Sequence, residues 1–361
     1  MKFGKWLKIT PAIALALVAV GCDKKGKAPE LEFTDPDTGE VVEVKVEATK
    51  DKEKVAQVLE ALYANIETAK EINQMTTKAS VNIDMTLDEA IFKVVGSLET
   101  RESIDMNDVV IGEDFSFIAD MIDATDLYAK VDLEIMAPSY DYEYDETLQQ
   151  YVEIFVQNEM TIKAELLSDE DAFYLNAEEL VGQGLDIKDQ KWKLSRDAIS
   201  ELILAEYEGL TFEDVMGEGY VEEVEMPTLD EILAETGMTL EEVVEMLGLE
   251  IAKVDGNEIM FKIVLDNEVL VDTLPTTTGP VDVELVIEFG IDSKTLMPTY
   301  LNVDAKDYIE TGFSLTEQEV DVKSFSFELE FTDKATFPDV KDKNKYSSFD
   351  EMLGDSSATT I

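Results

Sequence analysis

The chain of 361 residues has no histidine, one cysteine and two arginines, Arg101 and Arg196, and its 29 lysines and arginines face 81 aspartates and glutamates. Each scarcity removes a class of chemistry. Without imidazole there is no Ser-His-Asp or Cys-His nucleophile, no base poised near neutrality and no His-ligated zinc or haem iron. A single cysteine makes neither an internal disulfide nor a thiolate cluster. A formal charge of −52 repels phosphate backbones, which argues against nucleic acid as a partner. With so few arginines, bidentate phosphate recognition is nearly unavailable. There is also no G-x-S-x-G elbow, no phosphate-cradling glycine loop and no zinc signature. The expectation is therefore a protein that is not an enzyme and has neither cofactor nor metal. The hydrophobic fraction of 45% is still that of a globular chain, so the charge clothes a core.

What is present begins at the N-terminus. Lys2, Lys5 and Lys8 precede an uncharged apolar run from Ile9 to Val20, too short for a permanent membrane helix, which reads as a secretory signal over residues 1–21. It ends in Ala19-Val20-Gly21-Cys22. This segment resembles the lipobox of bacterial lipoproteins, although that pattern prefers Leu at the position of Ala19. By resemblance, Cys22 becomes the lipidated N-terminus of a protein held on the extracytoplasmic face of a cell membrane. Two or more acyl chains give stable anchoring where one does not. Residues 22–30 would form a tether whose Lys24, Lys25 and Lys27 favour anionic headgroups.

Beyond the tether, residues 31–354 read as one elaborated domain, because no Gly/Ser linker divides them, and 355–361 as a small polar tail. Leu31 to Val46 has the pattern of a hairpin around Asp35-Pro36-Asp37-Thr38-Gly39. Val55, Val58, Leu59, Leu62 and Ile66 recur at helical spacing, predicting a helix over about 51–74. Strict alternation then marks strands at 80–87, 127–135, 160–166, 259–265 and 281–289, each with one dry and one wet face, the mark of an antiparallel sheet. Val320 and Val322 are out of phase with Phe325, Phe327 and Leu329, which predicts a bulge near Lys323 and Ser324. The period turns helical near 195–249, where Thr228-x-x-Glu231 and Thr239-x-x-Glu242 are capping boxes and Gly237 and Gly248 are stops. The prolines, Pro138 among them, are expected at element edges.

A lipobox, an amphipathic helix and a long antiparallel meander with a continuous dry face resemble the half-barrel lipoproteins and lipid carriers of the LolA, LolB and LppX type. Phe173-Tyr-Leu-Asn176 leading to Lys191-Trp-Lys-Leu-Ser195, and Ile287 to Pro298 leading to Tyr300-Leu-Asn-Val303, carry the same likeness. The resemblance implies an α+β fold in which a strongly curved antiparallel sheet, a half-barrel, wraps around helices. It also implies an apolar hollow that takes up lipid or acyl chains in some relatives and is simply a core in others.

The residues themselves nominate Ile83, Met85, Phe92, Leu133, Ile162, Phe261, Ile263, Leu285 and Ile287 as the lining of that face, and methionines such as Met85, Met136 and Met160 as its adaptable wall. Two acidic runs, Asp141-x-Glu143-x-Asp145-Glu146 and Asp169-Glu170-Asp171, read as solvated faces or turns. The expected partners are a membrane, through the lipid, and an apolar ligand. The other reading is a structural or interaction module with a packed core and an acidic surface open to cations.

Overall fold

The computed structural model describes residues 30–34, 41–66, 73–87, 90–104, 115, 117–145, 150–182, 184–206, 229–265, 285–314 and 320–349. The signal segment, Cys22, Thr228 and residues 355–361 lie outside them. Among the described residues the fold is α+β, dominated by a twelve-stranded, mostly antiparallel sheet.

A small hairpin comes first. β1 (Glu30–Thr34) pairs with β2 (Val41–Lys45), setting Leu31 opposite Val44, and both are buried. In α1 (Lys52–Ala64) the carboxylate of Asp51 accepts from the amides of Glu53 and Lys54, and Val55, Ala56, Val58, Ala61 and Leu62 form the buried stripe. The helix is shorter than its periodicity predicts. Asn65 takes the C-cap and its side chain donates to the Ala61 carbonyl, and Gln74 opens a strand instead of closing the helix.

Two antiparallel meanders make the sheet. The first runs through β3 (Gln74–Leu87), β4 (Ala90–Ile104), β5 (Thr125–Asp145), β6 (Gln150–Ser168), β7 (Ala172–Gly182) and β8 (Leu185–Ser195). The second runs through β9 (Glu250–Asp255), β10 (Glu258–Leu265), β11 (Leu285–Asp292), β12 (Pro298–Asp304) and β13 (Val320–Thr332). β13 then lies along β3 and fuses the two. Its register slips between Val322 and Ser324, the bulge that the change of phase demands.

Pro138 falls inside β5 and not at an element edge. The pairing of β5 with β4 ends at Met136, opposite Lys93, so from Ala137 onward β5 has β6 alone beside it among the described residues. A missing amide hydrogen is tolerated where one side of a strand is unpaired.

Among the described residues there are five more α-helices: α2 (Phe117–Asp123), α3 (Arg196–Glu206), α4 (Leu229–Thr236), α5 (Leu240–Met246) and α6 (Lys306–Ser314). Three of them fall in the block expected to be helical. Thr239 and Glu242 form the reciprocal capping box of α5, and Gly237 and Gly248 adopt φ of 68° and 56°, values that favour glycine. α1, α5 and the hairpin share one core cluster with β9 to β11, in which Val46, Val55, Ile259 and Phe261 are fully buried. Phe261 and Phe289 stack there with centroids 5.1 Å apart.

The sheet is open, neither closed nor strongly curled, which corrects the expectation of a half-barrel wrapped around helices. Its two edges are finished separately. At β9, Thr49 and Ile251 exchange two backbone hydrogen bonds of 2.9 Å. At β8, Asp189 turns to φ 53° and β14 (Ser347–Ser348) adds a short parallel pair at Trp192 and Lys193. Each edge is thus paired over a short stretch by a segment of its own and not by the other edge.

After β13 the chain crosses the sheet as a strap, residues 333–348, and meets β3 to β8 in turn. The Ala335 amide donates to Gln74 and the Thr76 hydroxyl to the Lys334 carbonyl, at 3.4 and 2.6 Å. Arg101 on β4 donates to the Thr336 carbonyl while its guanidinium lies 4.8 Å from the Tyr128 ring centroid. Phe337 and Val340 pack on a second cluster of Tyr128, Leu167, Ala172, Tyr174 and Tyr346. Lys343 pairs with Asp169, and Tyr346 meets Tyr174 edge-on at 5.1 Å.

The other arginine is structural as well. Arg196, 3% exposed, donates to the carbonyls of Asp169 and Ile122 and lies 4.7 Å from the Phe173 ring centroid, tying α2 and α3 to the β6–β7 turn.

Candidate functional site

Cross-strand register decides which side chains share a face. One row runs Ile263, Ile287, Val303, Phe327, Val81, Gly96, Leu133, Ile162, Leu180, Ile187, from β10 through to β8, each residue opposite the next. Directly opposed residues project to the same side of a sheet. The row is therefore one apolar band across ten strands. Ile83, Met85 and Phe92 lie on the same face one and two pairs along, beside Phe325, Val94 and Val322, and Phe261 and Leu285 flank the row at its β10 end. All nine nominated residues thus occupy one face.

Their surroundings divide them. Phe261 and Ile263 are buried in the core cluster beneath α1 and α5, and Leu285 and Ile287 pack against it. Ile83, Met85, Phe92, Leu133 and Ile162 are half-buried, on the stretch from β3 to β6. In the same stretch Leu98 is 42% and Phe327 38% exposed, against 0% for Phe261. One apolar face is consequently a core at one end and a partly accessible surface further along, although Val322 at the start of β13 is 2% exposed. Such a surface is the kind of feature that marks a contact with something else.

Gly96 lies within this open stretch. A Cβ there would come within 2.1 Å of the Asp132 carbonyl oxygen and 2.7 Å of Leu133 Cα, so β4 and β5 approach too closely for any side chain. The band is left with a dip between Val81 and Leu133. Met85 and Met160 belong to this face, but Met136 does not. It stands opposite Lys93 and Glu159 on the other side of the sheet, one residue out of phase with Ile135. The sequence pattern does not single out Leu98, because β4 alternates poorly: Val94 and Val95 are consecutive and Gly96 carries no side chain.

The opposite face is polar and holds a different feature. Above β9 to β13 lies an open trough of about 1120 Å³. Met260 and Tyr300 flank Gly290 on its floor, and Glu258, Glu288 and Glu330 line its walls. Burial, then the charges of Glu328, Glu288 and Glu330, push the Tyr300 hydroxyl above its ordinary pKa. The Thr299 hydroxyl donates to Glu258 at 2.6 Å.

The acidic runs are accounted for separately. Asp169 Oδ1 accepts from the amides of Asp171 and Ala172, as a turn residue does. Asp141, Glu143 and Asp145 alternate along the β5–β6 ribbon, and Glu146 lies outside the described residues. Among the described residues no group of three acidic or cysteine side chains is placed to hold a metal ion, and no helix is long and apolar enough to cross a membrane.

No protein-family model matches this chain, and no curated protein matches it. Among solved structures it is similar to a β-barrel-like protein of a domain of unknown function from Brucella abortus, at 12% identity over 74% of this chain and 100% of that one, with a TM-score of 0.12. A score so low says nothing about shared architecture or function.

Proposed function

We propose that this chain is a lipoprotein, anchored by a lipid on Cys22 to the extracytoplasmic face of a cell membrane, whose open apolar face takes up an acyl chain of a lipid. The observation that carries the reading is the stretch of the apolar band from β13 to β6, where Phe327 and Leu98 stay more than a third exposed although every neighbour in their row is apolar or glycine. An extended hydrocarbon matches such a band. It asks for no hydrogen bonds and gains about 0.8 kcal/mol for each methylene removed from water. The methionines Met85 and Met160 supply contacts that adapt to chains of different shape. The Cys22 anchor is supported by the lipobox likeness and would hold the face close to a source of such chains.

The test begins with the wild-type protein purified from a lipid-containing host. Native mass spectrometry should find bound lipid, and a fluorescent fatty acid should titrate the emptied protein to saturation. Met85→Trp fills the band while keeping it apolar, and should weaken the probe at least tenfold with an unchanged circular dichroism spectrum. Cys22→Ala should leave the precursor unprocessed or release the protein from membranes. A wild type that carries no lipid and binds no probe would mean that the band serves as a packing surface, and the structural reading would replace this one. Identical fractionation and mass for wild type and Cys22→Ala would refute the anchor alone.

A further inference from the structure

The strands whose apolar face stands open, β3 to β6, belong to the stretch that the strap crosses on the other face. Gln74 and Thr76, Arg101, Tyr128, Leu167, Tyr174, and the pair Trp192 and Lys193 hold it on six successive strands. Thr76, Arg101, Tyr128, Leu167 and Tyr174 face one another in the register and lie on the polar side. For a sheet to curl around something on its apolar side, each strand must rotate about its neighbour. That rotation lengthens the path along the polar side. The strap is fixed covalently at β13 and by parallel pairing at β8, so any such rotation pulls on one of its contacts.

We propose that the strap is a brace that sets the curvature of β3 to β8 and so determines how widely the apolar face is open. The bracing stands on the strap contacts. The acyl-binding reading is needed only for what the opening serves.

The experiment places nitroxide labels on the polar face by Lys78→Cys and Lys188→Cys, both exposed, in a Cys22→Ala background. β3 and β8 are five strand intervals apart, roughly 24 Å at the usual spacing, within reach of pulsed dipolar spectroscopy. With the strap in place the distance distribution should be single and narrow. Phe337→Asp with Val340→Asp should release the strap, seen as trypsin cleavage after Lys341 and Lys343 at least tenfold faster. The distribution should then broaden and move by several ångströms, and affinity for the fatty-acid probe should change at least threefold. If the double variant loses its β-sheet circular dichroism, Tyr346→Ser, which removes the ring that meets Tyr174 and Lys191, takes its place with the same readings. A released strap with an unchanged distribution overturns the brace. A distribution that shifts in a protein whose wild type binds no fatty acid upholds the brace and overturns the acyl-binding reading.

Discussion

Phe261 and Phe327 lie on the same apolar face, and truncating both to alanine measures how differently its two regions are covered. Phe261 is fully buried, stacked on Phe289 in the cluster it shares with α1 and α5, so Phe261→Ala removes a whole ring from a closed core. Such changes cost about 3–5 kcal/mol, because the lost transfer energy is joined by that of the cavity left behind. Phe327 is 38% exposed, so roughly three-fifths of its ring area is out of water. Full burial of such a side chain contributes about 1.5–3 kcal/mol, which scales to about 1–2 kcal/mol here, with no sealed cavity to add. The two variants should therefore differ by about 1–4 kcal/mol. Urea unfolding followed by circular dichroism reads this as a shift in midpoint at constant slope. Equal losses, within ~0.5 kcal/mol, would mean that the β13–β6 stretch is covered as tightly as the β10 end, and the case for a site there would fail.

Two further outcomes follow from single contacts. Gly96→Ala forces a methyl group against the Asp132 carbonyl and should destabilise the sheet by about 1–3 kcal/mol or prevent folding, read as a lower thermal midpoint; an unchanged midpoint would show that β4 and β5 are not so close. Burial pushes the carboxyl of Asp169 upward, but Lys343, the amides of Asp171 and Ala172 and the Tyr174 hydroxyl outweigh it and hold the group below its ordinary 3.8. A carboxylate with a depressed folded pKa stabilises above its unfolded value, and that contribution disappears as pH falls through the folded one. Asp169→Asn should thus be less stable than wild type at pH 7, and the gap should shrink below about pH 3.8; a gap of the same size at pH 2.5 would contradict the assignment.

Much of this architecture is written in local sequence, and the exceptions have physical causes. Period-two alternation places eight of the nine nominated residues on their common face, all but Phe92 on the poorly alternating β4, and the phase change between Val322 and Phe325 locates the bulge, because both depend on nearest neighbours along a strand. Thr239 and Glu242 announce a helix start for the same reason. The end of α1 is misjudged because apolar spacing continues in the sequence past Asn65, the residue whose side chain closes the helix. The strap has no legible signal, since Asp333 to Ser348 has no period and acquires its role from partners more than a hundred residues away, Thr76 and Tyr174 among them. Curvature and cover are global properties. Alternation identifies an apolar face, but whether helices lie over Phe261 and not over Leu98 depends on where separate segments come to rest.

The seam between β3 and β13 has a consequence for how the chain reaches this state. Each meander closes through neighbours in sequence and can form as its own segment emerges, whereas the seam joins residues 76–87 to 320–332 and carries a large loop-closure entropy. Those pairings should be slow, so pulse-labelled hydrogen exchange should find the amides of β3 facing β13 protected late. Until then the first meander offers a long unpaired strand edge to any other chain. A polypeptide delivered N-terminus first cannot close that edge from within until residue 320 and its successors have arrived, which leaves the β3 edge open to self-association for most of the chain's own synthesis.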